Sequence, residues 1–111
     1  IIEGASEGKG LGHRFLRHIE RNTCLLFLIP VDSDDIMQEY HILLKELEKY
    51  NPDLLDKENF LVITKMDMLD DVMQKEIANK LSVDHLFISS ITHQGLDQLK
   101  DIIWNLLTKN D

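Results

Sequence analysis

Cysteine, basic residues and long apolar runs are all scarce in this 111-residue chain, and each shortage excludes something. The single cysteine, Cys24, rules out an intramolecular disulfide and fits a reducing, cytoplasmic setting. The longest apolar run, Cys24 to Val31, falls far short of the roughly 20 residues of a membrane helix, so neither a spanning segment nor a secretory signal is expected. Twelve basic residues face 20 acidic ones, and the net charge of −8 argues against broad nucleic-acid or anionic-membrane binding. The balance is uneven: residues 1–21 carry Lys9, Arg14, Arg17 and Arg21 against Glu3, Glu7 and Glu20, so the acidic excess lies in the remainder. No histidine has a cysteine or second histidine at metal-ligand spacing, so no metal cluster is indicated.

What is present is one small domain's worth of alternating patterns. Four of the five glycines (Gly4, Gly8, Gly10, Gly12) fall in the first twelve residues, a stretch expected to be mobile or ordered by a ligand. Leu11, Phe15, Leu16 and Ile19 then recur at helical spacing. Cys24–Val31 is apolar throughout, as a strand buried on both faces would be, and Pro30 should end it because proline cannot donate to a ladder. Asp32, Asp34 and Asp35 offer N-caps for a helix bearing Ile36, Tyr40, Leu43, Leu44 and Leu47, which Asn51-Pro52 stops. A second strand is expected at Phe60–Thr64, a helix at Asp71–Leu81, a third strand at His85–Ser89 and a last helix after Gly95. This alternation predicts an α/β fold of the doubly wound kind: three parallel strands with helices on both faces. Ligands of such sheets sit beyond the carboxyl ends of the strands, which directs attention to Pro30–Asp35, Thr64–Asp67 and Ser89–Thr92.

Thr64-Lys65-Met66-Asp67 follows the second strand and matches the [NT]-K-x-D pattern of guanine recognition. Guanine offers two adjacent donors, N1–H and the N2 amino group, which one carboxylate accepts together. Adenine has an acceptor at N1 and no amino group at C2. The stem of Lys65 can lie along the base, and Met66 or Met68 can pack beside it or against the next helix. Beyond the third strand, Ser89-Ser90-Ile91 is similar to the S-A-[LKI] element that brings backbone N–H groups to guanine O6.

The opening Ile1-Ile-Glu-Gly-Ala-Ser-Glu-Gly-Lys-Gly-Leu-Gly-His-Arg-Phe-Leu-Arg-His-Ile-Glu-Arg21 closely resembles the switch II segment of the Obg family of GTPases. The likeness continues through Tyr40, Glu46 to Pro52, Lys65, Asp67 and Gly95-Leu96. It implies the second half of a P-loop NTPase-type domain, starting after the family's D-x-P-G motif. Residues 1–21 would be switch II and its helix, and residues 22–111 the guanine-recognition half. Ile1, Ile2, Glu3, Gly4, Ala5, Gly8, Gly10 and Gly12 would form the switch, ordering around a γ-phosphate. Thr64, Lys65, Met66, Asp67, Ser89, Ser90 and Ile91 would bind the nucleotide.

The resemblance further implies GTP and GDP as ligands, Mg²⁺ held by residues outside this chain, a cytoplasmic location and action on the large ribosomal subunit in assembly or stress control. Ile1 stands where many small GTPases carry the glutamine that orients water, which implies slow hydrolysis, and no catalytic residue is assigned to the chain. Thr64, Ser90 and Pro30 replace the commoner Asn, Ala and Asp. No G-x-x-x-x-G-K-[ST] occurs, and Gly8-Lys-Gly-Leu-Gly12, with no strand read before it, is no substitute. The free chain should therefore have no useful GTPase activity. Its first strand should be an exposed edge open to self-association through Cys24–Val31. Two other readings stay open: a non-enzymatic half-domain that binds partners, and a flavodoxin-like receiver using Asp32, Asp34 or Asp35.

Overall fold

The computed structural model describes residues 2–3 and 24–108; the expected helix from Leu11 and the switch residues Ile1, Gly4, Ala5, Gly8, Gly10 and Gly12 lie outside them. The three expected strands appear as β2 (Cys24–Pro30), β3 (Glu58–Thr64) and β4 (His85–Phe87). A short strand, β1 (Ile2–Glu3), joins them, and the sheet runs β1-β2-β3-β4 with every pair parallel. The helices are α1 (Ile36–Tyr50), α2 (Asp71–Lys80) and α3 (Leu96–Thr108). Parallel neighbours need a crossover, which α1 supplies between β2 and β3 and α2 between β3 and β4.

The fourth strand corrects one expectation. Ile2 and Glu3 pair with Phe27 and Leu28, so the outer side of β2 is covered over those two positions and is not a fully open edge. A two-residue strand running into glycines carries no periodicity by which sequence could reveal it. Gly8-Lys-Gly-Leu-Gly12 thus does follow a strand, although the G-K-[ST] ending of a phosphate loop is still missing.

Both faces of the sheet are used. Leu25, Phe27 and Ile29 of β2 and Leu61 and Ile63 of β3 meet Ile36, Tyr40, Leu43 and Leu47 of α1, with Ile77 and Ala78 of α2 beside them. The alternate residues Leu26 and Val62, together with Ile88, meet Leu96, Leu99, Ile103 and Leu106 of α3. A strand with both faces covered reads as an unbroken apolar run, which is why Cys24–Val31 shows no alternation. Burying each large side chain contributes about 1.5–3 kcal/mol, and Phe27, Ile29, Leu43 and Leu47 are fully buried.

The stops follow local chemistry. Pro30 is the last residue of β2, and Val31 N–H takes up the ladder by donating to the Thr64 carbonyl at 3.0 Å. Asp35 caps α1 by accepting from Gln38 N–H at 3.1 Å, and Asp70 caps α2 by accepting from Met73 N–H at 2.8 Å. Asn51 ends α1 in an extended conformation, and Pro52 opens a 3-10 turn over Pro52–Asp56. No helix among the described residues is long and apolar enough to cross a membrane.

Candidate functional site

Three loops leave the carboxyl ends of β2, β3 and β4, and hydrogen bonds lace them together. Met66 N–H donates to the Ile88 carbonyl at 3.0 Å, tying the loop after β3 to the end of the β4 segment. Lys65 Nζ lies 4.0 Å from Asp32 Oδ2, at the margin of an ion pair between two exposed side chains, and links the same loop to the one after β2. Such a pair contributes little stability.

Lys65 has φ 63°, a left-handed conformation unusual for a residue with a side chain. It costs about 1–2 kcal/mol and turns the chain sharply into the 3-10 turn Met66–Met68. Met68 N–H donates to the Lys65 carbonyl and Leu69 N–H to that of Met66, each at 3.0 Å, closing the turn on which Asp67 is carried. Strain of this kind persists where the surroundings hold it, and it gathers at functional sites. Nothing in the residue types of Thr64–Asp67 announced it.

The closest side-chain contact in the site joins the two sequence elements. Ser89 Oγ–H donates to Asp67 Oδ1 at 2.7 Å, a short hydrogen bond to a charged acceptor, across 22 residues of sequence. Ser89 Oγ also accepts from Ile91 N–H at 3.2 Å and Thr92 N–H at 3.1 Å. One donor and two acceptor sites are all that a hydroxyl has, so this wholly buried serine is fully satisfied. Ser89 N–H meanwhile donates to the Gln94 carbonyl at 3.0 Å, pinning the far end of the loop.

Gly95 makes that loop possible. Its φ is +79°, and a Cβ placed there would lie 2.4 Å from the Phe87 carbonyl oxygen, so the backbone could not approach the end of β4 with any side chain present. The loop also holds His93 at φ 65°.

Of the residues singled out by sequence, Asp67 and Ser89 are brought into direct contact, and Lys65 lies in the same loop as Asp67. Thr64 stays in the β3 ladder, where its carbonyl accepts from Val31 N–H. Met66 is half-buried and packs against the core beneath α1 and α2, whereas Met68 is exposed. Ser90 and Ile91 are exposed, Ile91 at 76%. Asp35 caps α1 and Asp32 lies beside Lys65, while Asp32, Asp34 and Asp35 together line one cavity at the end of β2. Cys24 is a half-buried free thiol at the start of β2. No group of three or more His, Cys, Asp or Glu able to hold a metal ion occurs among the described residues. The features that sequence missed are the left-handed Lys65 and the double acceptor role of Ser89.

A parallel α/β sheet with helices on both faces, its loops joined at the carboxyl edge, is that of a partial P-loop GTPase-type domain. No family model matches the chain. It is nevertheless 59% identical to the GTPase Obg of Flavobacterium psychrophilum, over 96% of its own length and 33% of that protein's. The GTPase Obg of Bacteroides fragilis is also 59% identical, over 98% of the chain and 29% of the relative. That of Cytophaga hutchinsonii gives 59% over 98% and 33%. The chain thus spans about a third of the length of the curated relatives it matches, and over that span it belongs to the Obg family.

Proposed function

We propose that the chain is the guanine-recognition part of a GTP-binding and GTP-hydrolysing switch. One observation carries the reading: Asp67 Oδ1 is held at 2.7 Å by a buried serine, in a chain similar to proteins named GTPase Obg. A carboxylate has about four acceptor sites. Ser89 occupies one, which leaves Oδ1 and Oδ2 able to accept guanine N1–H and N2–H together. Because Ile91 N–H is already bonded to Ser89 Oγ, the donor for guanine O6 narrows to Ser90 N–H. The stem of Lys65 covers one face of the base.

Pre-positioning is what the geometry contributes chemically. With Asp67 fixed by Ser89, the carboxylate loses little freedom when the base arrives, and the specificity comes from the penalty an adenine would incur by leaving the aspartate unpaired. Base selection falls to the described residues, and the resemblance to the Obg family implies that the Mg²⁺ ligands lie outside this chain. Ile2 and Glu3 run parallel to β2 toward the ligand edge, and Gly4, Ala5, Gly8, Gly10 and Gly12 follow as the switch that answers to the γ-phosphate. By its likeness to the Obg proteins the whole protein works in the cytoplasm on the large ribosomal subunit.

Nuclear magnetic resonance on the chain tests base selection directly. Guanosine should move the amides of Lys65–Asp67 and Ser89–Ile91, with affinity in the millimolar range appropriate to a base without its phosphates, and adenosine should not. Equal responses to the two nucleosides would remove the role given to Asp67.

A further inference from the structure

Glu39 is a buried ionisable residue with no part in the guanine site. It is 4% exposed, and among the described residues its Oε2 makes no hydrogen bond. A carboxylate oxygen withdrawn from water without a partner is strongly disfavoured, and such groups in folded proteins nearly always have a donor. The first turn of α1 favours negative charge, but its amides are engaged elsewhere: Gln38 N–H donates to the Asp35 side chain and Glu39 N–H to the Asp35 carbonyl.

Glu39 lines a cavity of about 420 Å³ beside the carboxyl end of β2, with Pro30, Asp32, Asp34, Asp35, Gln38 and Ile42 among its other walls. Its side-chain charges are all negative, and acidic side chains can only accept, so the complementary ligand is a cation rich in donors. Metal-ligand grouping is absent among the described residues, and the volume suits a group of several atoms better than a bare ion. Pro30 and Ile42 add apolar wall, which suits the weakly hydrated, planar guanidinium over a compact, strongly hydrated ammonium.

We propose that this cavity receives a guanidinium group, with Glu39 as its buried charge partner. The group has two sources, a molecule free in solution or an arginine side chain. The chain's own arginines are Arg14, Arg17 and Arg21, which lie outside the described residues.

The test is a titration of the isotope-labelled chain with N-ethylguanidinium chloride, followed at the amides of residues 30–42, with ethylammonium chloride at matched ionic strength alongside. Saturable shifts with the guanidinium, and markedly weaker ones with the ammonium, are expected in the unmodified chain. Glu39→Gln should weaken guanidinium binding by about tenfold or more, the loss expected when a buried charge partner is removed. A variant with all three arginines changed to glutamine separates the sources. Tighter probe binding there means one of them competes for the cavity, and unchanged binding means the guanidinium comes from outside the chain. No saturable binding in either background, equal binding of the two cations, or undiminished binding by Glu39→Gln would overturn the proposal. The cation comparison needs no substitution, so it stands even where Glu39→Gln fails to fold. None of Thr64–Asp67 or Ser89–Ile91 lines the cavity, so its failure leaves the guanine reading intact.

Discussion

Ser89 and Asp67 join two elements that lie 22 residues apart in sequence. The sequence made Asp67 the guanine acceptor by its place in Thr-Lys-Met-Asp, and read Ser89 mainly as a small residue ending a strand. The structure gives Ser89 a larger part, since its hydroxyl donates to Asp67 and accepts from two loop amides at once. Serine hydroxyls can bond in many local patterns, so this one could not be read without knowing that the two loops are neighbours. Replacing the hydroxyl strands two amides and frees the carboxylate. Ser89→Ala should therefore cost about 1–3 kcal/mol of stability by chemical denaturation. It should also weaken guanosine binding by roughly tenfold, the equivalent of losing one charge-assisted hydrogen bond. An alanine variant with unchanged guanosine affinity would show that Ser89 supports the loop without positioning Asp67. Lys65 was legible as a residue type, but its left-handed backbone was not, because lysine ordinarily avoids that region.

At the scale of elements, legibility followed length and burial. Apolar runs and helical spacing located β2, β3 and the three described helices; α1 and α3 lay apolar faces on the sheet, whereas α2 packs only through Ile77 and Ala78 and leaves Val72 and Met73 exposed. β4 is shorter than expected, ending at Phe87: Ile88 N–H still donates to the Ile63 carbonyl at 2.8 Å, but Ser89 N–H turns to the Gln94 carbonyl of the Gly95-dependent loop. β3 begins earlier than expected, at Glu58, since Cys24 to Pro30 pair with it along their whole length and draw Glu58 and Asn59 into register despite their polarity. β1 was invisible for want of length. Caps were readable: Asp35 was one of three candidates for α1, and the structure selects it. Asp35→Ala should lower stability by about 1 kcal/mol, measured as a shift in denaturation midpoint at constant slope. No loss would mean that Asp34 or Asp32 can take over the cap.

Across the whole molecule, two features tie the core to solvent conditions and to partners. Tyr40 is buried against Phe27, its ring edge-on at 5.4 Å, and its hydroxyl donates to Asn59 Oδ1 at 3.2 Å. Burial raises its pKa above the ordinary value of about 10. A phenol whose pKa is higher folded than unfolded holds its proton more tightly in the native state. Its contribution is thus complete below about pH 10 and is lost as pH climbs through the raised value. Stability should fall on alkaline titration above about pH 10, and Tyr40→Phe should flatten that fall; an identical alkaline profile in the variant would assign it to other groups. The second feature is the sheet's outer side. Among the described residues β1 pairs with β2 at Phe27 and Leu28, and α3 on the second face exposes Trp104 and Leu107.

The central claim is that Asp67 reads the base, and a change of specificity tests it more directly than a loss of affinity. Changing the carboxylate to an amide supplies a donor where guanine needs an acceptor, and xanthine, with a carbonyl at C2, accepts from it. In the chain extended upstream through a phosphate-binding loop, GDP and xanthosine diphosphate affinities should be compared for the unmodified protein and for Asp67→Asn. The account predicts that preference moves from GDP to xanthosine diphosphate in the variant, by about tenfold or more in each direction. Equal affinities for the two nucleotides in the unmodified protein, or a variant that still prefers GDP, would contradict it.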